Sequence, residues 1–203
     1  MQLILIRHGE TIWNKEGRVQ GTSDIELSAA GLEQAHKLAL SLKDSPIDAI
    51  HASPLKRAFQ TAEIINTFHQ KEIEVHSELT EMDQGDFEGL TFKELMAHEK
   101  DFLHRWITDP VSMKMPKGES LAELQERAWQ PIQKIIAGGK NALVVSHNFT
   151  IAVILCRLRK INLAEFRNTC VDNASKTLIT IRGGVAHLEL INDVSHLNSL
   201  PDI

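Results

Sequence analysis

Four short runs of strand character, each stopping at a polar cluster, constrain this chain more than any other feature. Leu3 to Ile6, Asp48 to Ala52, Ile73 to His76 and Ala142 to Val145 are too short for helices and read as strands. Between them, apolar residues recur at helical spacing. Ser28 caps a helix expected over 29–43, with Leu32, Ala35, Leu38, Ala39 and Leu42 on one face. Ser53-Pro54 reads as the cap and first-position proline of a second helix, whose apolar face is Ala58, Ala62, Ile65 and Phe68. A third, over 149–158, follows the last run. Strands alternating with helices predict an α/β fold, a three-layer α/β/α sandwich around a mainly parallel sheet. Thr177 to Ile181 and Val185 to Leu190 flank Arg182-Gly183-Gly184, which predicts a closing hairpin and an antiparallel C-terminal strand.

The stretch from about 85 to 140 interrupts this alternation and reads as a helical lid insertion. Thr91 with Glu94, and Ser120 with Glu123, form capping-box patterns, and Gly138-Gly139 closes the second helical stretch. Asp109 to Glu119, rich in Pro, Met, Lys and Gly, reads as a loop and as the candidate cover of a site. At 203 residues the chain is expected to be a single domain over 1–203 that buries about 70% of its unfolded surface.

Charge and composition exclude several classes. With 22 Lys and Arg against 27 Asp and Glu the net charge is -5, so no nucleic-acid partner is expected. No apolar run approaches the ~18 residues of a membrane span, and the N-terminal run is too short for a signal peptide. Cys156 and Cys170 form no C-x-x-C pair and read as thiols of a cytoplasmic protein. The histidines show no metal-binding spacing; His36, His51, His69, His76, His98, His104, His187 and His196 read as surface or core residues. No metal and no cofactor are expected.

In open α/β sheets, sites gather at the carboxyl ends of the strands. Arg7-His8-Gly9-Glu10-Thr11 follows the first strand and Ser53-Pro54-Leu55-Lys56-Arg57 the second; Glu78 to Glu81 follow the third and Ser146-His147-Asn148 the fourth. Two histidines, two arginines and a carboxylate therefore fall at like ends of the strands. Leu5-Ile6-Arg7-His8-Gly9-Glu10-Thr11 with Trp13-Asn14 resembles the signature of the histidine phosphatase superfamily, in its phosphoglycerate-mutase-like branch. Gln20-Gly21 with Asp24, Leu27-Ser28 and Gly31 resembles its next block, and Ser53 to Ala62 its second-arginine helix. Leu79 to Gly89 resembles its acid loop; Gly118-Glu119-Ser120 and Val144 to His147 complete the order.

The resemblance implies a phosphoryl-transfer site. His8 would attack phosphorus as a neutral imidazole, its other ring nitrogen fixed by a nearby backbone carbonyl in a tight turn that Gly9 allows. Arg7 and Arg57 would clamp the phosphoryl oxygens, with His147 adding a contact if protonated and Asn14 joining through its amide. Gln20, Gly21 and Asn148 are expected at the same phosphate, within the matching blocks. Glu81, between Leu79 and Phe87 in sequence, is expected in apolar company as the general acid and as a further substrate contact; Glu78, Asp83, Asp86 and Glu88 are the loop charges that compete with it.

The family contains phosphatases and mutases. This chain is short and has no Arg-Arg pair to grip a second anionic group, and its candidate lid offers only Lys114 and Lys117, either solvated charge or an anion lure. A phosphatase of small phosphorylated metabolites is therefore expected, with a cofactor-dependent phosphoglycerate mutase and a non-enzymatic phosphate-binding module as alternatives. Val171 to Ser175 resembles metal-independent phosphoserine phosphatases, which often carry a histidine where this chain has Gln84; α-ribazole phosphatases and broad-specificity enzymes share the architecture. Met113, Met115, Trp106 and Phe87 are candidates for an apolar entrance. A homodimer is the one protein partner allowed for.

Overall fold

The computed structural model describes residues 1–198; residues 199–203 of the expected domain lie outside the described residues. β1 (Gln2–Arg7) is central and is followed by the short helix α1 (Ile12–Glu16). In β1, Leu3, Ile4, Leu5 and Ile6 are all buried, as befits a parallel strand covered on both faces. β2 (Ala49–Ala52), β3 (Ile73–Val75) and β4 (Ala142–Ser146) run parallel to it, and β5 (Lys176–Arg182) with β6 (Val185–Asp193) closes the sheet as an antiparallel hairpin. The order is β3-β2-β4-β1-β5-β6.

Strand alternation assigns the layers. Ile4 and Ile6 point into a core shared with α2 (Ala29–Leu42) and α3 (Lys56–Asn66), through Leu38, Ala39, Ala58, Ala62 and Ile65. Leu3 and Leu5 point the other way, onto α6 (Leu121–Gly138) and α7 (Asn148–Arg159), through Ala128, Ile132, Ile151 and Leu155. The three-layer sandwich expected from sequence is the observed fold. A third cluster forms where α4 (Phe92–His98) and α5 (Lys100–Thr108) pack over α7, with Leu95, Trp106, Val153 and Phe166 buried together. Thr91 and Ser120 make the capping boxes read from sequence.

Three readings need correction. Helix α3 begins at Lys56, not at Ser53-Pro54, and Leu55 gives it no side-chain cap. The Ser53 hydroxyl accepts from the Leu55 amide at 3.3 Å, just ahead of the helix, and meets His147 at 2.8 Å. That helix ends at Asn66, which leaves Phe68 exposed rather than on its apolar face. Finally, the loop Asp109 to Glu119 contains a 3₁₀ turn at Pro110–Ser112, and Met113 is buried in the third core rather than at an entrance.

Register brings the site together. Arg7 pairs with Ser146 across β1 and β4, and Ala52 pairs with Val145 across β2 and β4. One residue further on, His8, His147 and Ser53 must therefore be neighbours. The chain leaves β1 toward α2 on one face and leaves β4 into α7 on the other, which opens a crevice between the two strands at their carboxyl ends.

Candidate active site

A cavity of about 370 Å³ opens there, with Arg7, His8, Asn14, Gln20, Glu81 and Asn148 on its polar wall. The opposite wall is apolar and comes from α4, α5 and α7 as Phe92, Leu95, Phe102, Leu103, Trp106 and Phe149, joined by Phe87 and Met115. Met115, Trp106 and Phe87 thus stand where the sequence reading puts them. The loop Asp109 to Glu119 is not the main cover; helices α4 and α5 are.

His8 is buried, and its Nδ1 donates to the Gly9 carbonyl at 2.7 Å. Burial first, then the charges of Arg57 and Arg7, holds its pKa well below 6.5, against the opposing pull of that carbonyl. A neutral ring with its proton on Nδ1 carries the free lone pair on Nε2. The Gly9 turn admits no side chain: a Cβ on Gly9 would lie 2.4 Å from the Gly31 carbonyl oxygen, and one on Gly31 would lie 2.0 Å from that of Glu10.

The arginines divide their work. Arg7 Nη1 donates to the Val171 carbonyl at 2.6 Å, while its buried Nε has no hydrogen-bond partner. Arg57 is 0% exposed and stands behind the wall, donating from Nη2 to Gly21 O at 2.7 Å, from Nη1 to Ser23 O at 2.8 Å and from Nε to His147 Nδ1 at 3.2 Å. Desolvation pulls Arg57 down to about 10 and lowers Arg7 as well, with the Glu81 carboxylate the main opposing charge on each. Both guanidiniums stay charged near neutrality. On the cavity wall Glu81 is the one carboxylate set against these two buried cations, while Asp172, Asp24 and Glu88 act from behind the wall, so the cavity floor favours an anion.

Several expected residues take different places. Gly21 acts through its carbonyl on Arg57, and a Cβ there would meet the Glu88 Oε1 at 2.1 Å. His147 is fully buried, with its ring centroid 5.1 Å from that of His8. Burial first, then Arg57, His8 and Arg7, hold its pKa well below 6.5, which opposes the protonated form on which its contact to phosphate is conditional. Because Nδ1 accepts from Arg57, the ring proton sits on Nε2 and is donated to Ser53. Asn14 Oδ1 accepts from the Thr11 amide and from Asn173 Nδ2, which turns the Asn14 NH₂ away from both. Gln20 Oε1 accepts from Thr11, and Asn148 Oδ1 accepts from the Val171 amide.

Among the described residues, Glu81 is the one acidic side chain on the cavity wall. Its carboxylate is not in apolar company. It accepts from the Met82, Phe149 and Thr150 amides and from the Thr150 hydroxyl, at 2.9 to 3.2 Å. Lys114 pairs with Glu123 at 2.6 Å and Lys117 with Asp86 at 2.9 Å, so neither faces the cavity. The cations that do, Arg18 and Arg167, are not singled out by the sequence.

Two supports were also invisible in sequence. Arg127 of α6 forks onto Glu119 at 2.7 and 2.8 Å and donates to the carbonyls of Glu78, Thr80 and Glu81, which fixes the acid loop. Glu88, a candidate solvated charge, instead accepts from the amides and hydroxyls of Thr22 and Ser23, the segment whose carbonyls hold Arg57. Burial opposes its ionisation, but these hydrogen bonds outweigh it and lower its pKa.

The buried neutral histidines have a consequence for stability. Below pH 6.5 the unfolded chain protonates His8 and His147 while the folded chain does not, so stability falls as pH falls. Each contributes roughly 1 kcal/mol per pH unit in that window. Thermal melts should show Tm declining from pH 7 to pH 5, and a flat profile would contradict neutral burial.

A family model described as histidine phosphatase superfamily (branch 1) matches residues 3–194. Phosphoserine phosphatase 1 of Hydrogenobacter thermophilus is 34% identical over 181 residues, covering 88% of this chain and 86% of that protein. Phosphoglycerate mutase-like protein 4 of Arabidopsis thaliana is 33% identical, covering 93% and 87%. The crystal structure of the alpha-ribazole phosphatase from Shigella flexneri superposes with a TM-score of 0.87 at 30% identity, covering 96% of this chain and 97% of that one.

Proposed function

Because the chain belongs to the histidine phosphatase superfamily, we propose that it hydrolyses small phosphomonoester metabolites by passing the phosphoryl group to His8 and then to water. The observation that carries this reading is a neutral imidazole, its Nδ1 proton fixed on a carbonyl, set beside buried guanidinium charge at the floor of a cavity. The Nε2 lone pair of His8 forms the N–P bond as the P–O bond to the leaving alcohol breaks. Arg7 Nε, with the charge of Arg57 behind it, stabilises the equatorial oxygens. Glu81, whose carboxylate takes up a proton as the phosphomonoester binds, gives that proton to the leaving oxygen and takes one back from the water that attacks the phosphohistidine. His8 then leaves phosphorus as the neutral ring.

The wall chemistry supports a particular class of substrate. Phe87, Phe92, Phe102, Trp106 and Phe149 favour an alcohol with an apolar or aromatic body over one as polar as serine. Arg18 and Arg167 are already engaged: Arg18 with Glu16 and the Gly89 carbonyl, Arg167 with the Trp106 carbonyl and the Trp106 and Phe166 rings. That supports hydrolysis over mutase chemistry, which needs free cations to hold the distal phosphate while the intermediate turns. Free Cys156 and Cys170 support a cytoplasmic location, and no described helix is long and apolar enough to cross a membrane.

Phosphate release across a metabolite panel tests the proposal. Phosphoserine, α-ribazole phosphate and aryl phosphates should all release phosphate, ring-bearing esters fastest. With 3-phosphoglycerate and 2,3-bisphosphoglycerate, formation of 2-phosphoglycerate should be slower than hydrolysis of the best monoester; the reverse would make the chain a mutase. The catalytic groups are two guanidiniums, two imidazoles and a lone carboxylate, a set that needs no metal. Turnover should therefore survive EDTA, and loss on chelation with recovery by Mg²⁺ would contradict that mechanism.

A further inference from the structure

Away from the phosphate cavity, the β2–β3 edge brings His51, Glu74 and His76 together. Their spacing in sequence conceals this. Parallel pairing sets His51 opposite Glu74, and the His76 amide continues the ladder onto the Ala52 carbonyl. Glu74 and His76, two residues apart on an extended segment, face the same side. His51 Nδ1 lies 3.0 Å from His76 Nε2 and 3.5 Å from Glu74 Oε2, and the last two atoms are 3.9 Å apart. A triangle with these edges has a centre about 2.0 Å from every corner, which is the bond length of zinc to imidazole nitrogen and carboxylate oxygen.

We propose that His51, Glu74 and His76 form a binding site for a divalent transition-metal ion of the zinc type. Two imidazoles and one carboxylate suit Zn²⁺ and its neighbours in the first transition row, and not Mg²⁺ or Ca²⁺, which prefer all-oxygen cages. His51 is buried and fixed by its strand, Glu74 is largely exposed, and His76 lies between, so the ion has a rigid ligand below and a route in from solvent. The ligands adjoin a cavity of about 290 Å³ between the sheet edge and α6, bordered by Pro131, Ile135 and Gly138, from which water can complete the coordination. Lys134 and Lys140 also border that cavity. Their positive charge works against a loosely held cation and leaves directed nitrogen bonds as the source of affinity. Binding requires His51 to carry its proton on Nε2 and His76 on Nδ1. The ion would then replace the direct contact between the two rings and tie β3, a short edge strand, to β2.

The test uses tag-free full chain, stripped with a chelator and titrated with Zn²⁺ by calorimetry and with Co²⁺ by visible absorption. One equivalent per chain is expected, with the intense d–d bands of four- or five-coordinate Co²⁺, and Zn²⁺ should raise Tm by several degrees. Glu74→Ala and His76→Ala, both at accessible positions, should each weaken binding about a hundredfold and abolish the Tm shift. They keep the test decisive if buried His51→Gln fails to fold. Absence of binding at tenfold excess, or binding unchanged in both accessible variants, would overturn the proposal. Since neither readout is turnover, either outcome leaves the His8 mechanism to be judged separately.

Discussion

Alanine at position 8 is expected to lower kcat by about 10⁴-fold or more on every substrate, with the fold intact. Removal of the imidazole leaves Arg7 and Asn14 on the cavity wall, with the charge of Arg57 behind it, to bind a phosphomonoester, so KM should change far less than kcat. The loss should be large because the ring is held ready in three ways: its proton is fixed on Gly9, its neutral form is enforced by burial and two arginines, and the chain around it is locked by the Gly9–Gly31 contact. None of these can be supplied by a water molecule entering the gap. Near-native turnover in His8→Ala, with circular dichroism unchanged, would remove the nucleophile from the scheme.

Glu81→Gln should separate substrates by leaving group. An alkyl phosphate releases a basic alkoxide that needs a proton, and its kcat should drop 10²- to 10⁴-fold. A p-nitrophenyl ester releases a stable phenolate and should lose much less in the phosphorylation step. The isosteric amide can still accept from the Thr150 amide and hydroxyl, so the site should keep its shape. Equal losses on both ester types would assign Glu81 a binding role. Arg127 enters here as a positioning residue, since it holds the Glu81 carbonyl at 2.8 Å without reaching the cavity.

Much of this was legible in the chain because strands announce their own ends. A buried run that stops at Arg7-His8, and another that stops at Ser146-His147, place reactive groups where parallel sheets put sites; strand order then makes them neighbours. The order itself is not local information, and neither is the face on which each helix packs. The misreadings share that cause. Ser53 has every local mark of a helix cap, yet its hydroxyl serves a ring 94 residues away. Lys114 and Lys117 look like the only lid cations until Glu123 and Asp86 are seen to hold them. Glu88 reads as a loop charge and Arg127 goes unnoticed, because what they hold lies 65 and 46 residues distant. His51 and His76 are likewise unremarkable until the edge strand β3 pairs with β2.

The central claim is that the phosphoryl group rests on His8. Enzyme mixed with a labelled monoester and quenched within one turnover should retain one phosphoryl group per chain in alkali and lose it in acid, as a phosphoramidate does, and peptide mass spectrometry should place it on His8. Label that survives acid, label on another residue, or no label while phosphate is released at full rate would contradict the account.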